Sequence, residues 1–394
     1  MSKDKNPRSK GKILAGIRQN VFVLGIVSFL QDVSSDSIYP ILPIFLSVVL
    51  GVSKTFIGLI EGIAESTASI LKVFSGWLSD RIKKRKAIVV SGYSLSTLGK
   101  PLLALTTAGW HVLLIRFLDR LGKGIRTSPR DALIADSCSD DRRGTAFGLH
   151  RAMDTAGAVV GPLLAFWLLS IMKDNYRGLF LLASIPAVLA VIVLIIFVRE
   201  RKPECDTAET PNLSLKSLDR RFKFFVLIAM LFTLGNSSDA FLLLRAQNLG
   251  VATAMVPLTW LVFNVTSTLM SIPGGRLSDK IGRKRVITIG FFIYALAYFG
   301  FAFAAKKWHV WALFALYGIY YGINEGVMKA MVADIVSSEK RGTAYGIFNT
   351  AIGITAFPAS LILGLLWQFA GPQLAFSFGA TLALIASILL FFLK

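Results

Sequence analysis

The stretch Gly178-Leu-Phe-Leu-Leu-Ala-Ser-Ile-Pro-Ala-Val-Leu-Ala-Val-Ile-Val-Leu-Ile-Ile-Phe-Val198 carries no charge and decides how the rest of the chain is read. Coiled as an α-helix, a run of about 20 apolar residues covers the roughly 30 Å of a bilayer's hydrocarbon. Residues 286–305 and 373–393 repeat the pattern. Over all 394 residues, 54% are hydrophobic and 17% charged, against roughly a quarter charged in an ordinary soluble domain. Lys and Arg number 43 against 23 Asp and Glu, a net charge of +20. Such a balance favours nucleic-acid binding when the charge forms one patch. Here it falls in short clusters at the ends of apolar segments, so no nucleic-acid partner is expected and the lipid bilayer is.

Polar breaks divide the chain into twelve spans, near 19–49, 55–79, 87–108, 110–135, 144–172, 177–198, 222–247, 254–278, 286–305, 308–335, 342–370 and 373–393. With the N-terminus inside, tails and loops on the cytoplasmic side hold 26 Lys and Arg, and those outside hold four, with Arg177 at the outer edge of its span a fifth. The positive-inside rule then sets both termini in the cytoplasm, in a multi-pass protein of the cytoplasmic (inner) membrane. The basic tail (Lys3, Lys5, Arg8, Lys10, Lys12, Arg18) leads into an apolar run of some 30 residues with no small-residue cleavage site, so the N-terminus is expected to stay attached.

Soluble-enzyme chemistry finds little support. Cys138 and Cys205 fall in loops assigned to the reducing cytoplasm. His111, His150 and His309 show no metal-ligand spacing, and Gly122-Lys123 lacks the strand and glycine spacing of a phosphate loop. No enzyme activity, metal or cofactor is expected.

The chain repeats itself at a period near 199: Gly76-Trp-Leu-Ser-Asp80-Arg81 aligns with Gly275-Arg-Leu-Ser-Asp279-Lys280, Trp110-His111 with Trp308-His309, Asp136 with Asp334, and Arg143-Gly-Thr-Ala with Arg341-Gly-Thr-Ala. An all-α protein of two six-helix halves in one orientation follows, an N-terminal half over 1–198 and a C-terminal half over 222–394. The intervening 199–221, with Pro203, Pro211, Glu204, Asp206 and Glu209, reads as the linker.

These features resemble the major facilitator superfamily of secondary transporters, whose parallel halves enclose a midplane site. The loops at 76–86 and 275–285 are similar to the family's G-x-L-x-D-R-x-G-R-K pattern, with Lys83 standing in the first copy where the pattern has glycine. Arg116-Phe-Leu in span 4, followed by Gly122 and Gly124, is a weaker sign. Gly157-Ala-Val-Val-Gly161-Pro162-Leu-Leu-Ala165 in span 5 resembles the G-x-x-x-G-P-x-x-G motif of proton-coupled efflux members, with Ala165 replacing the last glycine. Small residues four apart let helices approach closely, and an interior proline bends its helix. By resemblance, Asp80 should sit against the start of span 11 near Arg341, with Arg143 and Asp136 completing an ion-pair latch to which Gly76 and Arg81 belong. Asp279 marks the corresponding loop in the second half.

An ionisable residue inside a span costs at least about 2.5–3.5 kcal/mol, so each calls for a reason. The N-terminal half has many: Asp32 and Asp36 in span 1; Glu61, Glu65 and Lys72 in span 2; Lys100 in span 3; Arg116, Asp119, Arg120, Lys123, Arg126, Arg130 and Asp131 in span 4; His150, Arg151 and Asp154 in span 5. The C-terminal half has chiefly Asp239, Arg245, Glu325 and Lys329. On a helical wheel Arg116, Arg120, Lys123 and Arg130 share an arc of about 80°, and adding Asp119 and Arg126 widens it to about 120°. Spans 1 and 2 offer acidic stripes in return. Structural ion pairs are the plain reading of such stripes, although apolar contacts would build a bundle more cheaply. The functional reading gives Asp32, Asp36, Glu61 and Glu65 the coupling proton, with Asp119, Asp154 or Glu325 next in line. It gives Arg116, Arg120, Lys123 and Arg126 the substrate, with solute contact favoured for Lys123 and Arg126 and internal pairing for Arg116 and Arg130. Tyr321, Asn324 and Glu325 in span 10 align with Lys123, Arg126 and Thr127 and are the C-terminal candidates.

The expectation is a secondary transporter working by alternating access, a monomer energised by the proton gradient without a cofactor, exporting a small organic solute. Proton-coupled import of an anionic solute (a carboxylate, phosphorylated metabolite or siderophore) is the alternative. A non-transporting receptor or scaffold is the reading from another class, and the short linker and tails leave it no signalling domain.

Overall fold

A computed structural model describes residues 19–82, 84–137, 143–200, 219–336 and 341–393, the side chains of residues 73, 76, 77, 80, 82, 143–145 and 341–343 excepted. Cys138, Cys205, most of the expected linker and the basic tail lie outside the described residues. The twelve spans form helices labelled here in chain order. In the N-terminal half these are α1 (Gln19–Ile38, resuming over Leu42–Ile44 and Phe45–Val49), α2 (Lys54–Ile82), α3 (Arg85–Leu102), α4 (Gly109–Ala135), α5 (Arg143–Met172) and α6 (Tyr176–Phe197). In the C-terminal half they are α7 (Arg220–Gly235, resuming over Ala240–Asn248), α8 (Val256–Ile281), α9 (Arg283–Phe303) and α10 (Lys307–Ile335). The continuous stretch Arg341–Phe391 then turns at Gly371, giving α11 (341–370) and α12 (372–391). Gly371 has φ of 85° and precedes Pro372, a pairing that ends one helix and starts the next.

Length and apolar composition alone mark eight segments as able to cross a membrane, the last of them holding both α11 and α12. The helices left over are α2, α4 and α10. They carry most of the charge found inside spans, which lowers their apolarity, and a polar helix survives in a bilayer only by turning its charges toward a protein interior or a water-filled cavity.

The first helix of each half breaks at equivalent positions. In α1 the helix stops at Ile38 and resumes at Leu42, beside Pro40 and Pro43; in α7 it stops at Gly235 and resumes at Ala240. Irregular backbone at membrane depth is tolerated where protein or a cavity supplies its hydrogen bonds. The Tyr294 hydroxyl accordingly donates to the freed carbonyl of Gly235 at 2.8 Å. Arg245, one of the few charges of the C-terminal half, caps rather than binds: its guanidinium donates to the carbonyls of Phe301 at 2.9 Å and Ala304 at 3.0 Å at the C-terminal end of α9. Arg177 does the same for Ala104 and Thr106 beyond α3, at 3.0 and 2.9 Å.

Five hydrogen bonds among the described residues join the two halves: Lys54 N to Gln368, Ser66 to Gly353 O, Ser238 to Glu61, Trp260 to Asp36, and Asn264 to Ala158 O. Those of Lys54, Ser238 and Trp260 lie toward the side away from the chain termini, here called distal, and those of Ser66 and Asn264 lie near the middle of their helices. On the terminal side Arg151 and Lys329 have side chains 70% and 55% exposed. The hydrogen bonds between the halves among the described residues thus lie distally and near the middle of the helices.

Candidate functional site

Between the halves lies a cavity of about 490 Å³ reached by residues of both breaks, Tyr39 and Leu42 of the first and Asn236 to Asp239 of the second. Its volume lies within the range of small-molecule sites.

Its α1 wall is set by the small-residue motif of α5. A Cβ on Gly157 would stand 2.6 Å from Phe29 O and 2.9 Å from the Cβ of Asp32; one on Gly161 would stand 2.9 Å from both Val33 O and the Cβ of Asp36. Ser37 donates to Gly161 O at 2.9 Å in the same seam. Only glycine permits this approach, so the motif seats the two acids of α1, and Pro162 follows inside α5. Asp36 accepts the indole N–H of Trp260 on α8 at 3.0 Å. The Asp32 carboxyl lies in hydrogen-bonding reach of the Asp154 carboxyl on α5. Asp154 also accepts from Ser28 at 2.8 Å and pairs with Arg151 at 3.1 Å.

The acids of α2 pair with α4. Arg116 grips Glu61 in a fork, with contacts of 2.8, 3.0 and 3.1 Å, and Glu61 is 1% exposed. Its second oxygen also accepts from Ser238 of the C-terminal half at 3.3 Å. Glu65 pairs with Arg120 at 3.2 Å, and Asp119 stands 3.6 Å from Arg116. Arg130, expected to pair internally, holds the adjacent Asp131 at 2.9 Å.

Lys123 and Arg126 differ from these. Both line the cavity, and among the described residues no carboxylate lies within ion-pair distance of either. The Arg126 guanidinium lies 4.4 Å over the ring of Tyr93 and donates to Ser96 Oγ at 2.6 Å. Lys100 of α3, a charge the sequence flagged without a role, also faces the cavity, held by neutral oxygens of Ser34 at 2.8 Å and Ser35 at 3.0 Å.

Of the C-terminal candidates, Tyr321 lines the cavity. Asn324 does not: it is 1% exposed and wedged against Gly290 of α9, with neither amide atom bonded. The reason is geometric. Gly92 and Gly290 are equivalent in the repeat, and Arg126 packs on the first as Asn324 packs on the second. Arginine is long enough to reach from that seam to the cavity; asparagine is not. Glu325 sits nearer the terminal side, paired with Lys329 at 3.1 Å. Sequence reasoning noted Asp239 but gave it no role; it is a cavity acid at the α7 break that accepts from Tyr317 at 2.5 Å. The polar run Asn236-Ser-Ser-Asp239 inside an apolar span was the signal.

At the terminal side Arg85 and Arg283 occupy the same place in the two halves, each the first residue of its helix. Arg85 pairs with Asp136, an acid expected in the latch cluster. Arg283 pairs with Asp279 at 2.5 Å and reaches Asp334 at 3.4 Å. Arg81 is exposed. The side chains of Asp80, Arg143 and Arg341, and the surroundings of Gly76, lie outside the described residues.

Comparison with known proteins bears on this arrangement. The chain matches the Major Facilitator Superfamily over residues 24–250 and 224–394. It is 40% identical to an uncharacterised MFS-type transporter of Methanocaldococcus jannaschii, covering 96% of this chain and 95% of that one. It is 25% identical to the multidrug resistance protein MdtH of Salmonella arizonae, over 90% of this chain and 85% of that one. Among solved structures, a POT family transporter in complex with 5-aminolevulinic acid superimposes with a TM-score of 0.80 at 14% identity, over 97% of this chain and 99% of that one. A multi-pass protein of twelve helices in two halves around a central cavity, a transporter and not an enzyme, this chain belongs to the major facilitator superfamily.

Proposed function

We propose that the protein is a proton-coupled secondary transporter of the cytoplasmic membrane, with both termini inside, that exports a small organic solute by alternating access and works as a monomer without a cofactor. The observation that carries the coupling is the Trp260–Asp36 hydrogen bond, in which an acid of one half holds a donor of the other inside the cavity. A proton on Asp36 removes the charge that strengthens this bond, so proton binding acts on the contact between halves. With the termini inside, the hydrogen bonds between the halves at Lys54, Glu61 and Asp36 support a cavity that loads solute from the cytoplasmic side. The likeness to MdtH, a multidrug resistance protein, supports the outward direction.

Flux in inverted membrane vesicles under an imposed pH gradient tests this reading. Export by exchange for protons gives solute accumulation in vesicles acidified inside and none without the gradient; accumulation only under the reverse gradient assigns uptake instead. Uptake of an anion is the second reading, and the cations of α3 and α4 that lack a carboxylate partner favour it. Absence of any gradient-driven flux would remove both.

A further inference from the structure

Three cations line the cavity without a bonded carboxylate: Lys100, Lys123 and Arg126. Arg116 and Arg120 on the same wall are neutralised by Glu61 and Glu65 at 2.8 and 3.2 Å. A cation held at membrane depth without a counter-charge is costly, and a bundle that pairs two arginines had the means to pair the others. Arg126 is only 6% exposed, and its face and one N–H are fixed by Tyr93 and Ser96, which leaves the remaining N–H groups of the fork for the cavity. Lys123 stands one helical turn away on the same face of α4, and among the described residues its ammonium has no hydrogen-bond or ion-pair partner. Glu65, Asp32 and Asp36 are in electrostatic reach of Lys123, and Asp119 is in reach of Lys100 and Arg126, yet these carboxylates are engaged by Arg120, Asp154, Trp260 and Arg116. Across the same cavity, Tyr39 and Trp260 form an aromatic pair with centroids 5.2 Å apart, one ring from each half.

Resting on the transport reading above, we propose that the solute is an aromatic organic anion: a carboxylate or sulfonate oxyanion bound by Lys123 and Arg126, its ring system against Tyr39 and Trp260. Arginine supplies a planar fork and lysine a point charge, the pairing suited to one oxyanion. A ring packed against aromatic side chains of both halves links occupancy to their relative position.

Equilibrium binding to the purified full chain in detergent tests the assignment with three probes: naphthalene-2-sulfonate, methanesulfonate and 2-naphthylmethylammonium. Naphthalene-2-sulfonate is expected to bind at least about tenfold more tightly than either the ringless anion or the ringed cation, a difference of about 1.4 kcal/mol. Lys123→Gln should weaken it by a similar factor while leaving the ligand-free melting temperature unchanged, because that ammonium holds nothing in the fold. Arg126→Lys should fall between wild type and Lys123→Gln. Tighter binding of the cation, sulfonate binding indifferent to Lys123→Gln, or no sulfonate binding would overturn the proposal. The transport reading stands or falls separately: gradient-driven flux in a protein that binds no sulfonate keeps transport and rejects this site, and sulfonate binding without flux does the reverse.

Discussion

Gly161 of α5 lies so close to Asp36 of α1 that a Cβ on the glycine would stand 2.9 Å from the Cβ of the acid. The small-residue motif is thus also a seat for a charged cavity residue, and a packing change there moves the chemistry. Gly148, in the same helix, has nothing within 4 Å of where its Cβ would stand.

Gly161→Val is therefore expected to force α1 and α5 apart. Overpacking of this kind costs about 1–3 kcal/mol, read as a lower melting temperature, and gradient-driven flux should fall because Asp36 loses its register with Trp260. Gly148→Ala serves as the comparison and should leave both unchanged. Equal behaviour of the two variants would show that α5 tolerates separation and that the motif does not position Asp36.

Glu61 and Arg116 test how far burial commits a pair. Glu61→Gln leaves the Arg116 guanidinium without the carboxylate that now grips it by three contacts. Breaking one side of a buried pair costs about 3–5 kcal/mol, so expression and melting temperature should drop sharply, with or without ligand. Restoration by the double variant Glu61→Gln, Arg116→Met would show that the loss comes from the orphaned charge. A Glu61→Gln protein as stable as wild type would mean that water or Asp119 replaces Glu61.

The twelve spans and the two halves were legible in the sequence because apolar length and a repeat offset are properties of the chain alone. Helical spacing also told which charges share a face. It did not tell which charge meets which, since partners depend on how helices cross: Arg116 took Glu61, Arg120 took Glu65, and Arg126 took neither. The assignment of Asn324 to the cavity failed because equivalence in the repeat preserves the seam a residue packs in and not how far its side chain reaches. The breaks in α1 and α7 were hidden because their apolar flanks merge into one run, and with the α7 break went the role of Asp239.

Trp260→Phe removes the indole donor while keeping an aromatic ring in place. Hydrogen bonds to charged groups are worth about 1.5–3 kcal/mol, so losing this one shifts the balance between closed and open distal sides by roughly tenfold or more. Cysteines placed at the distal ends of α1 and α8 should become more reactive to a membrane-impermeant thiol reagent. Unchanged labelling would show that the remaining cross-half bonds hold the distal side shut without Trp260.

Asp32 and Asp154 offer the sharpest test of which acid carries the coupling proton. Two carboxyl groups share a hydrogen bond only while one of them is protonated, because a carboxylate has no donor. On the proton-coupled reading, the α1–α5 seam at Gly157 would hold a proton while the Asp32–Asp154 contact is made and release it when the contact opens. Asp154→Asn keeps a donor in place and removes the titration: the seam should stay closed and the protein stable, exchange of solute at equilibrium should persist, and flux driven by a pH gradient should be lost. Asp32→Asn should behave in the same way, because either substitution fixes the shared proton's place. Asp36→Asn differs in that it touches Trp260 directly and should also raise distal-side reactivity. If Asp154→Asn transports under a pH gradient at the wild-type rate while Asp36→Asn does not, the proton resides on Asp36 alone and the Asp32–Asp154 contact is only a helix tie.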